Sequence, residues 1–216
     1  MSTHRDRDVV SGIIPWVGAT ALIGLAVIAL YLFTGAAATR PSTAAPVTAS
    51  DITFGPAGAR VTVIEYSDFQ CPFCAEYATW MRRLREKYGD RARFVFRNLP
   101  LAKHRWATLA ARVAYAASLQ GRFWEMHDLL YQRQEEWADS TDPRPLFESY
   151  ARSLGLDMQR FRDDADAQST LEFVRRQAAE GQTAGVTHTP WFVVNGESVL
   201  PRSLGQFERL IEERLR

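Results

Sequence analysis

Val61–Tyr88 reads V-T-V-I-E-Y-S-D-F-Q-C-P-F-C-A-E-Y-A-T-W-M-R-R-L-R-E-K-Y. Its first six residues are β-branched and almost wholly apolar, the composition of a central strand buried on both faces. From Cys71 the pattern changes. Phe73, Tyr77, Trp80/Met81, Leu84 and Tyr88 recur every three to four residues, which predicts a helix over 71–88. Pro72 suits the first turn of that helix, and Gly89-Asp90 stops it. A strand therefore gives way to a helix around Cys71-Pro72-Phe73-Cys74. The chain has only these 2 cysteines, which excludes a disulfide-scaffolded fold and any four-cysteine metal site.

The placement has chemical consequences. Cysteine reacts as the thiolate, and a helix N-terminus offers N–H groups and a positive dipole end to a negative sulfur. Cys71 lies at the helix start and Cys74 one turn deeper, so the pair can close a small disulfide ring. The first sulfur would attack and the second resolve. Other uses of such a pair stay open on this reading. They are two inert buried thiols, a fixed disulfide (which would constrain little chain), or part of a metal site with His188 as third ligand.

Working outward, Ile52–Phe54 reads as a short edge strand and Arg93–Asn98 as a second, alternating strand. Helical patterns follow around Trp106–Ala117, Phe123–Tyr131, Leu146–Leu154, Phe161 and Leu171–Ala178. Trp191–Val194, the turn Asn195-Gly196 and Ser198–Leu200 read as a hairpin, and Leu204–Leu215 as a last helix. The order β-α-β, helices, β-β-α defines a layered α/β domain with an all-helical insertion over about 101–184.

With 216 residues, 46% hydrophobic and 24% charged, the chain has room for one domain and an appendage. A net charge of +1 leaves no basic excess for nucleic acid. No Asp, Glu, Lys or Arg occurs from Val9 to Thr39. Ile13–Phe33 within that run is long enough to cross a bilayer core, with Trp16 and Tyr31 near its ends as interfacial anchors. The expected arrangement is a cytoplasmic tail (1–12), a single transmembrane helix (13–33), a flexible linker (34–50) and a folded domain (51–216). Arg5 and Arg7 before the span favour a cytoplasmic N-terminus. The competing reading is a cleaved signal peptide with a site at Ala36-Ala37-Ala38, though the apolar run exceeds the usual length of about 7–15 residues. No Gly-rich nucleotide loop or serine nucleophile elbow is present, so no organic cofactor is expected.

Four ordered segments carry a resemblance. V-I-E-Y-S-D-F-Q-C-P-F-C (63–74) resembles the active-site segment of the DsbA-like thiol:disulfide oxidoreductases of the thioredoxin superfamily, especially the membrane-anchored Gram-positive, BdbD-like branch. R-N-L-P-L-A-K-H (97–104), Q-G-R-F-W-E-M-H-D (120–128) and G-V-T-H-T-P-W-F-V-V-N-G (185–196) are similar to further segments of that family. The resemblance implies a thioredoxin fold with a helical insertion. It implies Cys71 as nucleophile, Cys74 as resolving thiol and Pro190 as a cis-proline that exposes the Thr189 backbone to an extended substrate. It implies Glu65 as a buried acid that relays protons to Cys74; burial of an unpaired carboxyl should raise its pKa.

One departure stands out. The family commonly has Gly where this chain has His188, an imidazole that would make Cys71 more acidic if it faced the sulfur and would do nothing if it pointed outward. Phe73 and Trp191 are candidates for the rim of an apolar substrate groove. Asp68 is expected to face water, and His104 and His127 to be packing or surface residues.

The activity implied is a dithiol oxidase outside the cytoplasm, anchored in the cell membrane by a single pass. It would donate the Cys71–Cys74 disulfide to reduced, unfolded secreted or membrane proteins. A quinone-coupled membrane partner of the DsbB or vitamin-K-epoxide-reductase (VKOR) type would reoxidise it. A monomer is expected, since no separate dimerisation region is visible. The alternatives are a reductase or isomerase, for instance in cytochrome maturation, and a metal-binding module built on Cys71, Cys74 and His188.

Overall fold

Ile52–Phe54 (β1), Val61–Ser67 (β2), Ala92–Asn98 (β3), Trp191–Val194 (β4) and Glu197–Val199 (β5) form one sheet in the order β1-β3-β2-β4-β5. The computed structural model describes residues 44–216. The expected tail, the span 13–33 and the first part of the linker lie outside the described residues. β2 and β3 run parallel, and the crossover a parallel pair requires is the helix Pro72–Tyr88 (α1). β1 on β3, β4 on β2 and β5 on β4 are antiparallel. The β4–β5 turn is Asn195-Gly196, with φ of 49° and 84°, the left-handed pair that a two-residue hairpin turn demands.

The segment between β3 and β4 is helical: Ala107–Ser118 (α2), Phe123–Gln132 (α3), Gln134–Trp137 (α4), Arg144–Ser153 (α5), Met158–Asp166 (α6) and Gln168–Thr183 (α7). Leu204–Leu215 (α8) follows the hairpin. On one sheet face Val61, Val63, Phe94 and Phe192 pack against Met81, Leu84 and Tyr88 of α1 and Phe207 and Ile211 of α8. On the other face Ile64, Tyr66, Val95 and Val193 meet Leu99 and Val186. α7 approaches there so closely that a Cβ on Gly181 would sit 3.0 Å from the Tyr66 ring. The insertion has its own core, including Ala114, Met126, Leu130, Trp137 and Phe147, and that core runs without a break into Phe69, Cys71 and Cys74. The cysteine loop is thus packed by the insertion as well as by the sheet.

Two expectations need correction. β3 does not alternate between core and solvent, because the sheet is covered on both faces; even the Arg97 side chain is only 1% exposed. Arg97 donates to both carboxylate oxygens of Asp51 at 2.9 and 3.0 Å, to the Ala45 and Pro46 carbonyls at 2.9 and 3.0 Å, and to the Tyr66 hydroxyl at 2.9 Å. The linker, expected to be flexible through residue 50, is therefore held from Ala45 onward by a buried guanidinium that needs those acceptors. Ala44 and Val47 pack on the same sheet face.

Candidate active site

Cys71 occupies the N-cap position of α1 with extended backbone (φ −78°, ψ 122°), and Pro72 begins the helix. Its N–H donates to the Asp68 carbonyl at 3.1 Å. Its own carbonyl accepts from Ala75 N–H at 3.2 Å and from the Gln134 amide at 3.1 Å. Both cysteines are buried and in the dithiol form. Cys71 Sγ lies 3.6 Å from the Thr189 carbonyl oxygen, and the Thr189–Pro190 peptide bond is cis. The loop before β4 thus presses its backbone against Cys71 Sγ.

The two thiols are driven apart in acidity. A hydrogen bond from Cys74, helped by the Cys74 and Phe73 N–H groups and by the Thr189 side chain, overrides burial and pulls Cys71 down to about 5. Burial pushes Cys74 well above its ordinary value, the shared hydrogen bond with Cys71 adds to this, and Ser67 opposes it. The one proton they share therefore belongs to Cys74. Cys71 is the thiolate.

Glu65 sits in the middle of the sheet, opposite Phe96 on one side and Phe192 on the other. It is 1% exposed, and its Oε1 has no hydrogen-bond partner. Burial raises its carboxyl to about 7, against the pull of Ser67 and Arg85.

His188 is exposed, with its ring edge-on to Trp191 at 4.8 Å and its Nδ1 3.5 Å from the Thr187 hydroxyl. The groups that lower Cys71 are Cys74, Thr189 and Phe73, and none is an imidazole. Among the described residues no three His, Cys, Asp or Glu side chains converge as metal ligands would. Phe73 is 67% exposed beside the cysteines, whereas Trp191 is half-buried beneath His188.

Asp68, expected at the surface, is buried; it accepts from Gln70 N–H at 2.7 Å, Leu101 N–H at 2.8 Å and His104 Nδ1 at 2.7 Å. Three donors converge on it from the cysteine loop and the start of the insertion, so it staples one to the other. Sequence reasoning also missed Gln134, whose amide donates to the Phe69 and Cys71 carbonyls at 2.7 and 3.1 Å. It missed Ser67 and Tyr131, whose hydroxyls lie 2.8 Å apart. It missed the pairing of Arg85 with Asp128 at 2.7 Å, which His127 Nδ1 joins at 2.8 Å. Burial takes His127 down to about 4, so its ring is neutral at ordinary pH and donates to the Asp128 carboxylate. No local pattern marks these partners, which lie 43 to 65 residues from the segment they meet.

A dithiol at the start of the first crossover helix, faced by a cis-proline loop, on this sheet order, defines a class: thioredoxin-fold domains with a helical insertion. A family model described as Thioredoxin matches residues 48–213, and the chain belongs to that family. The fold is that of DsbA- and BdbD-type proteins. Oxidised BdbD of Bacillus subtilis superposes with a TM-score of 0.67 at 21% identity, over 76% of this chain and 92% of that one. Alpha-DsbA1 of Wolbachia pipientis gives 0.69 at 17% identity, over 82% and 96%. A thioredoxin-like oxidoreductase from Silicibacter pomeroyi gives 0.64 at 24%, over 81% and 96%. Curated relatives include the Na(+)/H(+) antiporter NhaA 3 of Salinispora tropica, 41% identical over 143 residues, which is 66% of this chain and 21% of the antiporter. The NhaA of Herminiimonas arsenicoxydans is 38% identical over 142 residues, 66% of this chain and 22% of its own. The chain spans about a fifth of the length of these relatives, and the match assigns it no antiport.

Proposed function

We propose that the protein is a thiol:disulfide oxidoreductase acting as a dithiol oxidase. A substrate thiolate attacks Cys71 Sγ of the Cys71–Cys74 disulfide, and Cys74 leaves as a thiolate that takes up a proton. A second substrate thiol then attacks the substrate sulfur of the mixed disulfide and expels the Cys71 thiolate. The substrate loses two electrons and gains a disulfide; the protein ends as the dithiol. The electrons pass between sulfur atoms alone, and the proposal calls for no organic cofactor.

The carrying observation is the placement of Cys71 at the N-cap of α1 with Cys74 one turn deeper, where the Cys74 thiol and the first-turn N–H groups pull the Cys71 pKa down to about 5. A thiol ionising about 2 units below neutrality favours the reduced form by roughly 3 kcal/mol, or about 60 mV toward an oxidising disulfide. That bias supports exchange in the oxidising direction. Glu65, raised to about 7, is matched to trade the Cys74 proton at neutral pH. Exposed Phe73 and the Thr189 backbone supply an unselective docking edge for unfolded chains, with Trp191 behind it.

The sequence supports the setting. The uncharged run Ile13–Phe33 is read as a single-pass anchor with the catalytic domain outside the cytoplasm, and the reoxidant as a quinone-coupled membrane protein of DsbB or VKOR type. Among the described residues no helix is long and apolar enough to cross a membrane. Acid quenching of cells followed by alkylation tests the direction. The proposal expects Cys71 and Cys74 mostly disulfide-bonded in the steady state. A mostly reduced pair overturns it in favour of reduction or isomerisation.

A further inference from the structure

Ser67 and Tyr131 are both buried, and their hydroxyls are 2.8 Å apart across 64 residues of sequence. Mutual satisfaction of two buried hydroxyls would by itself be unremarkable packing. Their neighbours set them apart. The Ser67 hydroxyl is the side-chain partner that draws both the Glu65 carboxyl and the Cys74 thiol back down from the values burial imposes. Ser67 stands two residues from Glu65 on the same face of β2, with the Tyr131 hydroxyl 2.8 Å away and Cys74 among the groups it acts on. The charged groups around them come from several elements. Arg85 of α1 and Asp128 of α3 face Glu65, Cys71 faces Cys74, and Cys74, Glu65 and Asp68 surround Tyr131. The neutral His127 ring packs on Tyr131 at 4.9 Å. Tyr131 and Asp128 also line a crevice of about 30 Å³ between α1 and α3, opposite Ala75 and Ala78. That is room for about one water.

We propose that the Ser67 hydroxyl, aimed by the Tyr131 hydroxyl, is the route by which Cys74 trades its proton with Glu65. The proposal deepens the dithiol reading and rests on it. When a thiolate attacks Cys71 Sγ, the Cys71–Cys74 bond breaks and its electron pair leaves on Cys74 Sγ. The Ser67 hydroxyl gives that sulfur a proton and is refilled from the Glu65 carboxyl. In reclosure the transfers reverse: Cys74 loses its proton through Ser67 to the Glu65 carboxylate, then attacks Cys71 Sγ and expels the bound thiolate. Burial keeps Tyr131 protonated. It is a positioning residue that aims the Ser67 hydroxyl.

The test uses the oxidised protein and glutathione. Stopped-flow kinetics separate attack on the disulfide from reclosure of the Cys71–glutathione mixed disulfide by Cys74. Reclosure in the wild-type protein should rise with pH through an inflection near 7, the Glu65 value. Ser67→Ala should slow reclosure at neutral pH by about tenfold or more and abolish the inflection. Tyr131→Phe, which keeps the ring packing, should slow it by about threefold, less than loss of the direct proton carrier. Ser67→Thr, which keeps the hydroxyl, should restore the profile; a Thr variant as slow as the Ala variant would mean lost packing and overturn the route. Ala and Phe variants that reclose with the wild-type rate and pH profile would overturn the route alone. A wild-type protein that forms no mixed disulfide with glutathione would overturn the dithiol reading and the route together.

Discussion

One face of β2 has two characters. Val61 and Val63 enter an apolar layer between α1 and α8, with Phe94, Phe192 and Phe207 around them. Two and four residues further on, Glu65 and Ser67 point to the same side of the sheet and meet Cys74, Tyr131, Arg85 and Asp128 instead. The first half removes apolar surface from water and stabilises the fold. The second half buries polar groups, one carboxylate oxygen among them without a partner, and costs stability. A strand can carry both only because the apolar half supplies the surplus. The division also locates the chemistry: the costly half is the one that ends at the cysteines.

The contrast can be broken from the apolar side first. Phe94→Ala empties a fully buried site in the middle of that layer and should cost about 3–5 kcal/mol in denaturant unfolding. The folded fraction should keep the same Cys71 acidity. A large fall in thiol acidity alongside the stability loss would show that the two halves are not separable.

The polar side should behave in the opposite way. The folded-state carboxyl of Glu65 is raised from 4.5 to about 7, so the stability it contributes is present below about pH 4.5 and lost as pH rises to about 7. Glu65→Gln does not titrate. On the disulfide form, where Cys71 cannot ionise, the variant should therefore gain on the wild-type protein by roughly 3 kcal/mol between those limits. The wild-type curve alone would hide this, because His127, lowered from 6.5 to about 4, contributes stability present above about 6.5 and lost as pH falls through 4. A stability difference that stays flat with pH would mean Glu65 titrates as an exposed acid.

The smallest effect belongs to His188. Exposed and lying over Trp191, it should leave Cys71 almost untouched. His188→Gly should shift the thiolate titration by less than about 0.3 unit, under roughly 0.4 kcal/mol. A larger shift would place the imidazole in the site after all.

What the sequence disclosed and what it concealed divide along the same lines as the strand. Val61–Tyr66, the Cys71–Cys74 spacing, the α1 periodicity and the Asn195-Gly196 turn are local patterns, and local patterns are what periodicity and turn chemistry report. Glu65 stood out because a carboxyl in an apolar strand is anomalous on sight. Ser67 did not, since a serine at a strand end is ordinary; its meaning depends on Tyr131, 64 residues away. A base on an amphipathic helix such as Arg85 is ordinary in sequence; its burial depends on Asp128, 43 residues away. Gln134 belongs to a four-residue helix, too short to show a period, yet it holds the Cys71 carbonyl. Asp68 was misjudged because charged residues are placed outside by default, and only tertiary partners, as for the buried Arg97, reveal that they are paired within.

The central claim is that the fold polarises the two thiols, and ultraviolet thiolate absorbance of the reduced protein tests it directly. One thiolate should titrate with a midpoint near 5, and that amplitude should vanish in Cys71→Ser while Cys74 stays protonated well above its ordinary value. A midpoint near the free-cysteine value of about 8.5, or an acidic titration that survives loss of Cys71, would contradict the account.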